Sequence, residues 1–446
     1  MPTADRDRRP LVLLLTANVI SVTGNMLTLV AVPWFVLQTT GSAAHAGLVA
    51  FASTLPVAVA ALLGGPLIDR LGQTVSSVVS DTVCMLAVGA IPVLHMAGAL
   101  SYGALLALVA VAGLFHAPGE TAREVLMPRL AEVAGTTVAR ASSGYEGASR
   151  GARMLGAPLA GVLIAAVGAA DVLLVDAASF AASALLVGFG ARAHGMPRRG
   201  GAEPGRQGYA AQLREGYGYL VGARLLFAVV LMVMVTNALD QAWSAVLLPV
   251  DAREHLGGAA AIGLVSGTTG GAALIGSLLY GAYGQRLPRR GLFIGAFLVA
   301  GFPRTAVAAF VPGLAPLIAV TAVCGVAAGV LNPIIGTEMV RLVPERLRSR
   351  VFGAVTSGCL MAMPLGGLAA GYLVQYAGLR QTLAAVSAAY LLTTLSPLVL
   401  PAFRDWSGPA RQAASASAGG RLLPGGEGAE RGQRAVQGLD GDQAQA

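Results

Sequence analysis

Lysine is missing from this chain: all 30 of its basic residues are arginine. Charge of any kind is scarce. Only 12% of the 446 residues are charged, against about 25% in a soluble domain. A surface so poor in charge cannot face water throughout, but lipid can cover it. Cysteine is rare too, at three residues, Cys84, Cys324 and Cys359. They show no CxxC pairing and no metal-ligand spacing, and all lie inside apolar runs. They are expected to be buried, reduced thiols, with no metal bound. There is no Walker motif, nucleophile elbow or HExxH, which argues against an ATP-driven pump or a membrane hydrolase. No enzymatic activity and no cofactor are expected.

What the chain has is apolar length. Hydrophobic residues make up 55% of it, gathered in blocks that reach the roughly 20 residues a spanning helix needs. The blocks predict an all-α membrane protein with twelve transmembrane helices. Six fall near 11–37, 43–67, 75–96, 100–121, 140–167 and 171–190, and six near 224–249, 258–283, 291–311, 314–337, 350–375 and 379–402. The first block follows "RDRR", like a signal peptide, yet it is longer than an h-region and ends at no small-x-small site, so a retained span is expected. The predicted units are a tail at 1–10, a bundle at 11–190, a linker at 191–223, a second bundle at 224–402 and a tail at 403–446. The linker begins rich in Gly, Pro and Arg, as a flexible segment does, and its later part could form an amphipathic helix. The C-terminal tail is small, polar and Gly-rich, a composition that predicts disorder.

The net charge of +8 does not point to nucleic acid, because the arginines sit in short loops between apolar blocks. Arg6, Arg8 and Arg9 precede the first span. Arg70, then Arg123 and Arg129, then the linker arginines follow at alternate loops, and Arg286, Arg289, Arg290, Arg341, Arg346 and Arg348 continue the series. Arg253 and Arg380 are the exceptions. The positive-inside rule then predicts cytoplasmic N- and C-termini, as an even number of spans requires.

The two halves also match each other. At an offset of 216 positions Pro33 pairs with Pro249, "GLV" at 47–49 with "GLV" at 263–265, and Gly65 and Arg70 with Gly281 and Arg286. "APLAG" at 157–161 resembles "MPLGG" at 363–367 after small shifts. Parallel repeats related by an axis along the membrane normal place a binding site near the midplane, between the halves.

"GGPLIDRLGQ" (64–73) resembles the signature between spans two and three of the major facilitator superfamily, and "HAPGETAREVLMPRL" (116–130) and "NPIIGTEMVRLVPERLRSRVFG" (332–353) look like its macrolide-efflux and enterobactin-exporter-like branch. The resemblance covers about 11–402 and implies two parallel six-helix repeats that rock about a central site. It implies a conformational gate of Gly65, Asp69, Arg70 and Gly72, with Asp69 accepting from the N-terminus of span eleven near Arg350. Within "GARMLGAPLAG", Gly156, Pro158 and Gly161 resemble a helix-packing motif of the family's antiporters. Many proton-coupled members carry an arginine in span four, whereas "YGALLALVAVAGLFHAPGE" holds none.

Ionisable groups inside a membrane are costly and default to functional candidates. Asp240 lies mid-span in "VTNALDQAWS" beside Gln241, with Gly24 and Asn25 in the matching part of span one. Asp240 could exchange a proton for a cationic substrate, or merely hydrogen-bond a neighbouring helix. Trp243 could stack on a cation or fill core. Glu146, Arg150 and Arg153 share one helical face, either as a charge network on the substrate path or as a self-neutralising packing pair. Asp176 is a second proton candidate or a residue reaching water. Arg304 and Asp81 are placed near the interfaces, where snorkelling or a local salt bridge explains them. His95 and His116 stand alone and read as structural.

The expected function is a secondary active transporter in the cell membrane, a monomer that exports a small amphipathic compound by alternating access in exchange for protons. The alternatives are a siderophore exporter or nutrient importer of the same fold and, from another class, a transport-inactive scaffold or sensor.

Overall fold

A computed structural model describes residues 7–192, 209–401 and 403, without the side chains at 62–67, 69–70, 191–192, 209–213, 285, 346 and 349. The predicted flexible start of the linker (193–208) and the tail beyond Phe403 lie outside the described residues, as do the side chains of Asp69 and Arg70. Among the described residues, twelve helical segments are long and apolar enough to cross a bilayer. The first six are α1 (Arg9–Thr40), α2 (Ala43–Leu71), α3 (Gln73–Met96), α4 (Tyr102–Val133), α5 (Val138–Val167) and α6 (Ala169–Arg192). A short α7 (Tyr209–Gly222) follows. The seventh span joins α8 (Arg224–Ala242), a π-helical turn (Trp243–Leu247) and α9 (Leu248–Glu254). Then come α10 (Ala259–Tyr283), a ninth span made of α11 (Arg289–Ala300) and α12 (Phe302–Phe310), α13 (Leu314–Leu342), α14 (Arg348–Ala377) and α15 (Leu379–Val399).

Two spans are broken for readable reasons. Pro249 has no N–H to return to the carbonyl four residues back, and the π turn stands immediately before it, where a widened turn absorbs the missing bond. Ser244 also donates to the Asp240 carbonyl at 3.0 Å. In the ninth span Gly301 leaves helical geometry (φ −122°) and Pro303 opens α12, which puts Arg304 in the first turn of a new helix. The α2–α3 joint turns on Gly72 alone, at φ 84°, a backbone that other residues rarely adopt.

The largest difference from the sequence reading is α4. It runs on to Val133, well past 121, because its buried face continues at Leu126, Met127, Leu130 and Ala131. Arg123 therefore does not belong to a loop. It is a fully buried residue of the fourth span, and that span does contain an arginine.

In the first half α1 packs on α5 and α6, α3 on α4 and α6, and α2 on α4; in the second, α8 packs on α14, α10 on α13 and α12 on α15. The halves meet along α2–α14 and α5–α10. The amphipathic α7 docks on α14, where Tyr217 meets the Ser357 hydroxyl at 3.1 Å and Glu215 pairs with Arg350. All three cysteines are free, but only Cys84 and Cys324 are buried; Cys359 is half-buried, contrary to expectation.

Candidate functional site

A cavity of about 500 Å³ lies between the halves and takes its wall from both. Asn25 and Thr28 of α1 face it from one side, Gln241 and Ser244 of the seventh span from the other. These are repeat mates, 216 positions apart in each case, so the internal repeat gives the cavity an amide and a hydroxyl from each half. His116 and Glu120 of α4, Arg153 of α5, Ser53 and Thr54 of α2 and Ser266 of α10 add to its polar wall. Val57, Val109, Phe180, Ile262, Leu360 and Met363 supply apolar surface. Such a mixture suits a largely apolar ligand with a few polar groups.

One end of the interface is sealed by backbone-close contacts. A Cβ on Gly47 of α2 would lie 2.7 Å from the Gly367 carbonyl oxygen and 2.8 Å from Gly371 Cα of α14. On the opposite side a Cβ on Gly161 of α5 would lie 2.5 Å from Gly263 Cα of α10. Gly47 and Gly263 are repeat mates, so the two joints are copies. Pro158 shares the second, against Gly263 and Gly267, while Gly156 lets α5 approach Met26 of α1. At the same end Arg253 donates to the Leu37 carbonyl at 2.6 Å, and Ser42 donates to Gln375 at 3.0 Å. One exception to the arginine alternation thus ties α9 to α1. Further along, a Cβ on Gly144, Gly147 or Gly151 of α5, or on Gly281 of α10, would meet nothing within 4 Å, so these positions make no such close contact.

Outside the cavity wall each half holds an acid–base pair built on a buried arginine. In the first, both guanidinium contacts of Arg123 to the Asp81 carboxylate are 2.9 Å. Arg123 also donates to Asn18 at 3.3 Å and Ser21 at 3.1 Å, and Ser183 donates to Asp81 at 2.6 Å. Tyr145 and Ser149 of α5 close the network on Asn18. In the second half Asp240 pairs with Arg304, and Tyr390 of α15 lies beside the same carboxylate. The Arg304 guanidinium lies 5.4 Å from the centre of the Trp243 ring. Asp81 and Arg304 are thus both buried, and neither snorkels to an interface.

The family model of the Major Facilitator Superfamily matches residues 14–242 and again 230–427. The chain belongs to this superfamily. It is similar to the multidrug efflux pump Tap of Mycolicibacterium fortuitum, with 34% identity over 414 residues, 89% of this chain and 97% of that one. It is similar also to the protein of the same name from Mycobacterium tuberculosis, with 31% identity over 406 residues, 90% of this chain and 95% of that one. Among solved structures, the nucleoside transporter NupG superposes with a TM-score of 0.68 at 14% identity, covering 87% of this chain and 98% of that one. A POT family transporter in complex with 5-aminolevulinic acid gives 0.64 at 12%, covering 88% and 96%. At such identities these two show the fold alone. The chain is a multi-pass membrane protein built as two parallel six-helix repeats.

The structure brings some sequence-selected residues of this superfamily member together and separates others. Asn25, Gln241 and Arg153 line the cavity; Asp240, Trp243 and Asp176 are not part of its wall. Asp176 is fully buried and holds the hydroxyls of Thr28 and Ser179, rather than reaching water. Trp243 is buried too, and the cation over it is the protein's own Arg304. Glu146, Arg150 and Arg153 do not act as one face. Glu146 and Arg150 pair with each other at 3.3 Å and are exposed, whereas Arg153 reaches across to Glu120 of α4. Glu120 was missed because it fell at the presumed end of the span. Its signal was the i, i+4 spacing from His116, which sets both on one face of the continuing helix. Of the four gate residues, Gly72 makes the turn described above. Gly65 lies within α2, and the Asp69 and Arg70 side chains lie outside the described ones.

Proposed function

We propose that this chain is a secondary transporter of the cell membrane that exports amphipathic drug-like compounds by alternating access. The observation that carries the reading is the cavity shared by both halves, with twin glycine joints closing the interface at one end and glycines without close contacts on α5 and α10 toward the other. Rocking α1–α6 against α8–α15 would open those joints and close the other end, moving a ligand across without a covalent step. The two Tap relatives, named as multidrug efflux pumps, supply the direction and the class of cargo. With cytoplasmic termini, as the arginine pattern favours, the sealed end is the outer one and the cavity serves the cytoplasm.

Proton exchange is the proposed energy source, since no nucleotide-binding motif is present in the sequence. Asp69 and Arg70 are proposed to latch the cytoplasmic end in the other state, with Gly65 and Gly72 shaping that joint. Asp240 is proposed as a brace: its pairing with Arg304 and Tyr390 fixes α8 and the π turn against α12 and α15, and so aims Gln241 into the cavity. No cofactor takes part, and the monomer is the working unit.

The test is drug accumulation into inside-out vesicles carrying the purified chain, with and without an imposed pH gradient. Accumulation that needs the gradient is the expected result. Uptake of a nutrient by whole cells, with no change in drug sensitivity on deletion or overexpression, would reverse the direction and sink the export reading.

A further inference from the structure

His116 is more than nine-tenths buried, and its Nδ1 has no hydrogen-bond partner. Its ring nevertheless forms part of the cavity wall. The other ring nitrogen, Nε2, stands 3.9 Å from the Glu120 carboxylate, too far for a hydrogen bond but within reach of an ion pair. Glu120 is held by Arg153 and is itself part of the wall, as is Arg153. An imidazole with an idle nitrogen, one small movement from a carboxylate already shared with an arginine, is a poor packing element and a good proton acceptor.

From this geometry we infer that His116, with Glu120 and Arg153, is the proton-binding site that sets the affinity of the cavity for a cationic ligand. The inference rests on the proposed efflux function and names the site of its coupling. The other groups around the ring do not offer a competing charge. On α4 and α3, Arg123 and Asp81 neutralise one another at 2.9 Å. Glu124 lies one turn or more further along α4, past Glu120. Among the described residues α1 brings only uncharged groups near the site, among them Asn18, Asn25 and Thr28, α2 brings Ser53 and Thr54, and α5 brings Tyr145 and Arg153. The α6 helix places Phe180 at the ring edge, with centroids 6.1 Å apart, and its Asp176 is held by Thr28 and Ser179.

The charge balance gives the coupling. With His116 neutral, the carboxylate and guanidinium cancel and the wall tolerates a cation. A proton on the imidazole draws Glu120 toward Nε2, frees Arg153 toward the cavity and leaves the trio at a net positive charge. Histidine changes charge in the range where cells work, and like charges a few ångströms apart in a partly dry cavity repel strongly. The proton and the cation then exclude one another, which is what antiport requires.

The experiment is ethidium binding to the purified full chain in detergent, followed by fluorescence anisotropy between about pH 8 and about pH 6; the dye keeps its charge across that range. Wild-type affinity should fall about tenfold or more toward the acid end. His116→Gln should bind tightly with no such fall, and His116→Lys should bind weakly at every pH. His95→Gln, at an exposed position of α3 outside the cavity wall, should keep the wild-type slope. A wild-type affinity that does not vary with pH overturns the inference, as does a His116→Gln protein that retains the slope or a His95→Gln protein that loses it. A wild-type chain that binds neither ethidium nor any other compound in a drug panel overturns instead the efflux reading beneath it. Should His116→Lys fail to fold, the Gln variant decides alone.

Discussion

Each half of the molecule pairs an aspartate with a buried arginine, and the two pairs are enclosed to different degrees. Asp81–Arg123 is closed on every side: side-chain exposure is 3% and 0%, and partners come from α1 and α6 as well as α3 and α4. Asp240–Arg304 is looser. The Asp240 side chain is 45% exposed, and the buried Nε of Arg304 has no partner. In the first half the charges serve as a knot through most of the bundle. In the second they leave spare capacity, taken up by the Trp243 ring. The repeat duplicated the helices and the glycine joints, but the ion pairs arose at unrelated positions. They are local solutions to holding each bundle together in lipid, where apolar burial between helices provides no drive.

The severest way to test this difference is to break the closed pair. Arg123→Leu strands a buried carboxylate together with Asn18 and Ser21, and losing one partner of a buried ion pair costs about 3–5 kcal/mol. The folded protein should vanish from size-exclusion profiles of membrane extracts. Asp81→Asn combined with Arg123→Gln removes both charges and keeps polar groups to pair, so much of the folded peak should return. A well-behaved Arg123→Leu protein would end the description of this pair as the knot of the first half.

The glycine joints should behave alike where the ion pairs do not. Gly161→Val and Gly371→Val each force apart two backbones now in contact. Both chains should insert and fold, since each bundle keeps its own core, but neither should complete the cycle, and drug export should drop by about tenfold or more, about 1.4 kcal/mol or more. Export assays in a hypersensitive strain check this. Unequal losses would show that the pseudo-symmetry of the joints does not extend to their use.

How much of this could be read beforehand depended on the range of the signal. The spans were legible because apolar runs are local and lipid demands them. The repeat mates Asn25 and Gln241 were legible because a constant register points to equivalent places. The end of α4 was not, because reading by apolar runs stops at the first charge. Glu120 and Arg123 read as an exit from the membrane, whereas the buried face of the helix continues beyond them at Leu126, Met127, Leu130 and Ala131. Nor could the pairings be read: Asp81 and Arg123 lie 42 positions apart, Asp240 and Arg304 64, and Glu120 and Arg153 33. No local pattern links residues at such distances. Arg253 was an unexplained exception until Leu37 was found beside it.

Opening the looser pair should do less. Asp240→Asn keeps an acceptor for Tyr390 and leaves Arg304 over Trp243. The Asp240 side chain is already part-exposed, so the cost should be about 1–3 kcal/mol. Thermal unfolding in detergent should start a few degrees lower with the protein still monodisperse, and export should fall only severalfold. A loss as complete as that of Arg123→Leu would erase the distinction between the pairs.

The smallest expected effect is the most specific. Trp243→Phe keeps a ring under Arg304 but weakens its attraction for the cation, by about 0.5–1 kcal/mol, and leaves a small void. Alone it should lower the unfolding midpoint slightly. In the Asp240→Asn background the ring becomes the main remaining partner of the guanidinium, so the same substitution should cost more than it does in the wild type. A double-mutant cycle on unfolding midpoints reads that excess directly. If the two substitutions simply add, Trp243 is core packing that happens to lie near a charge. If the excess is present, the second half has exchanged the hydrogen bonds of the first for an aromatic face. That would explain how Arg304 stays buried with one nitrogen unpaired.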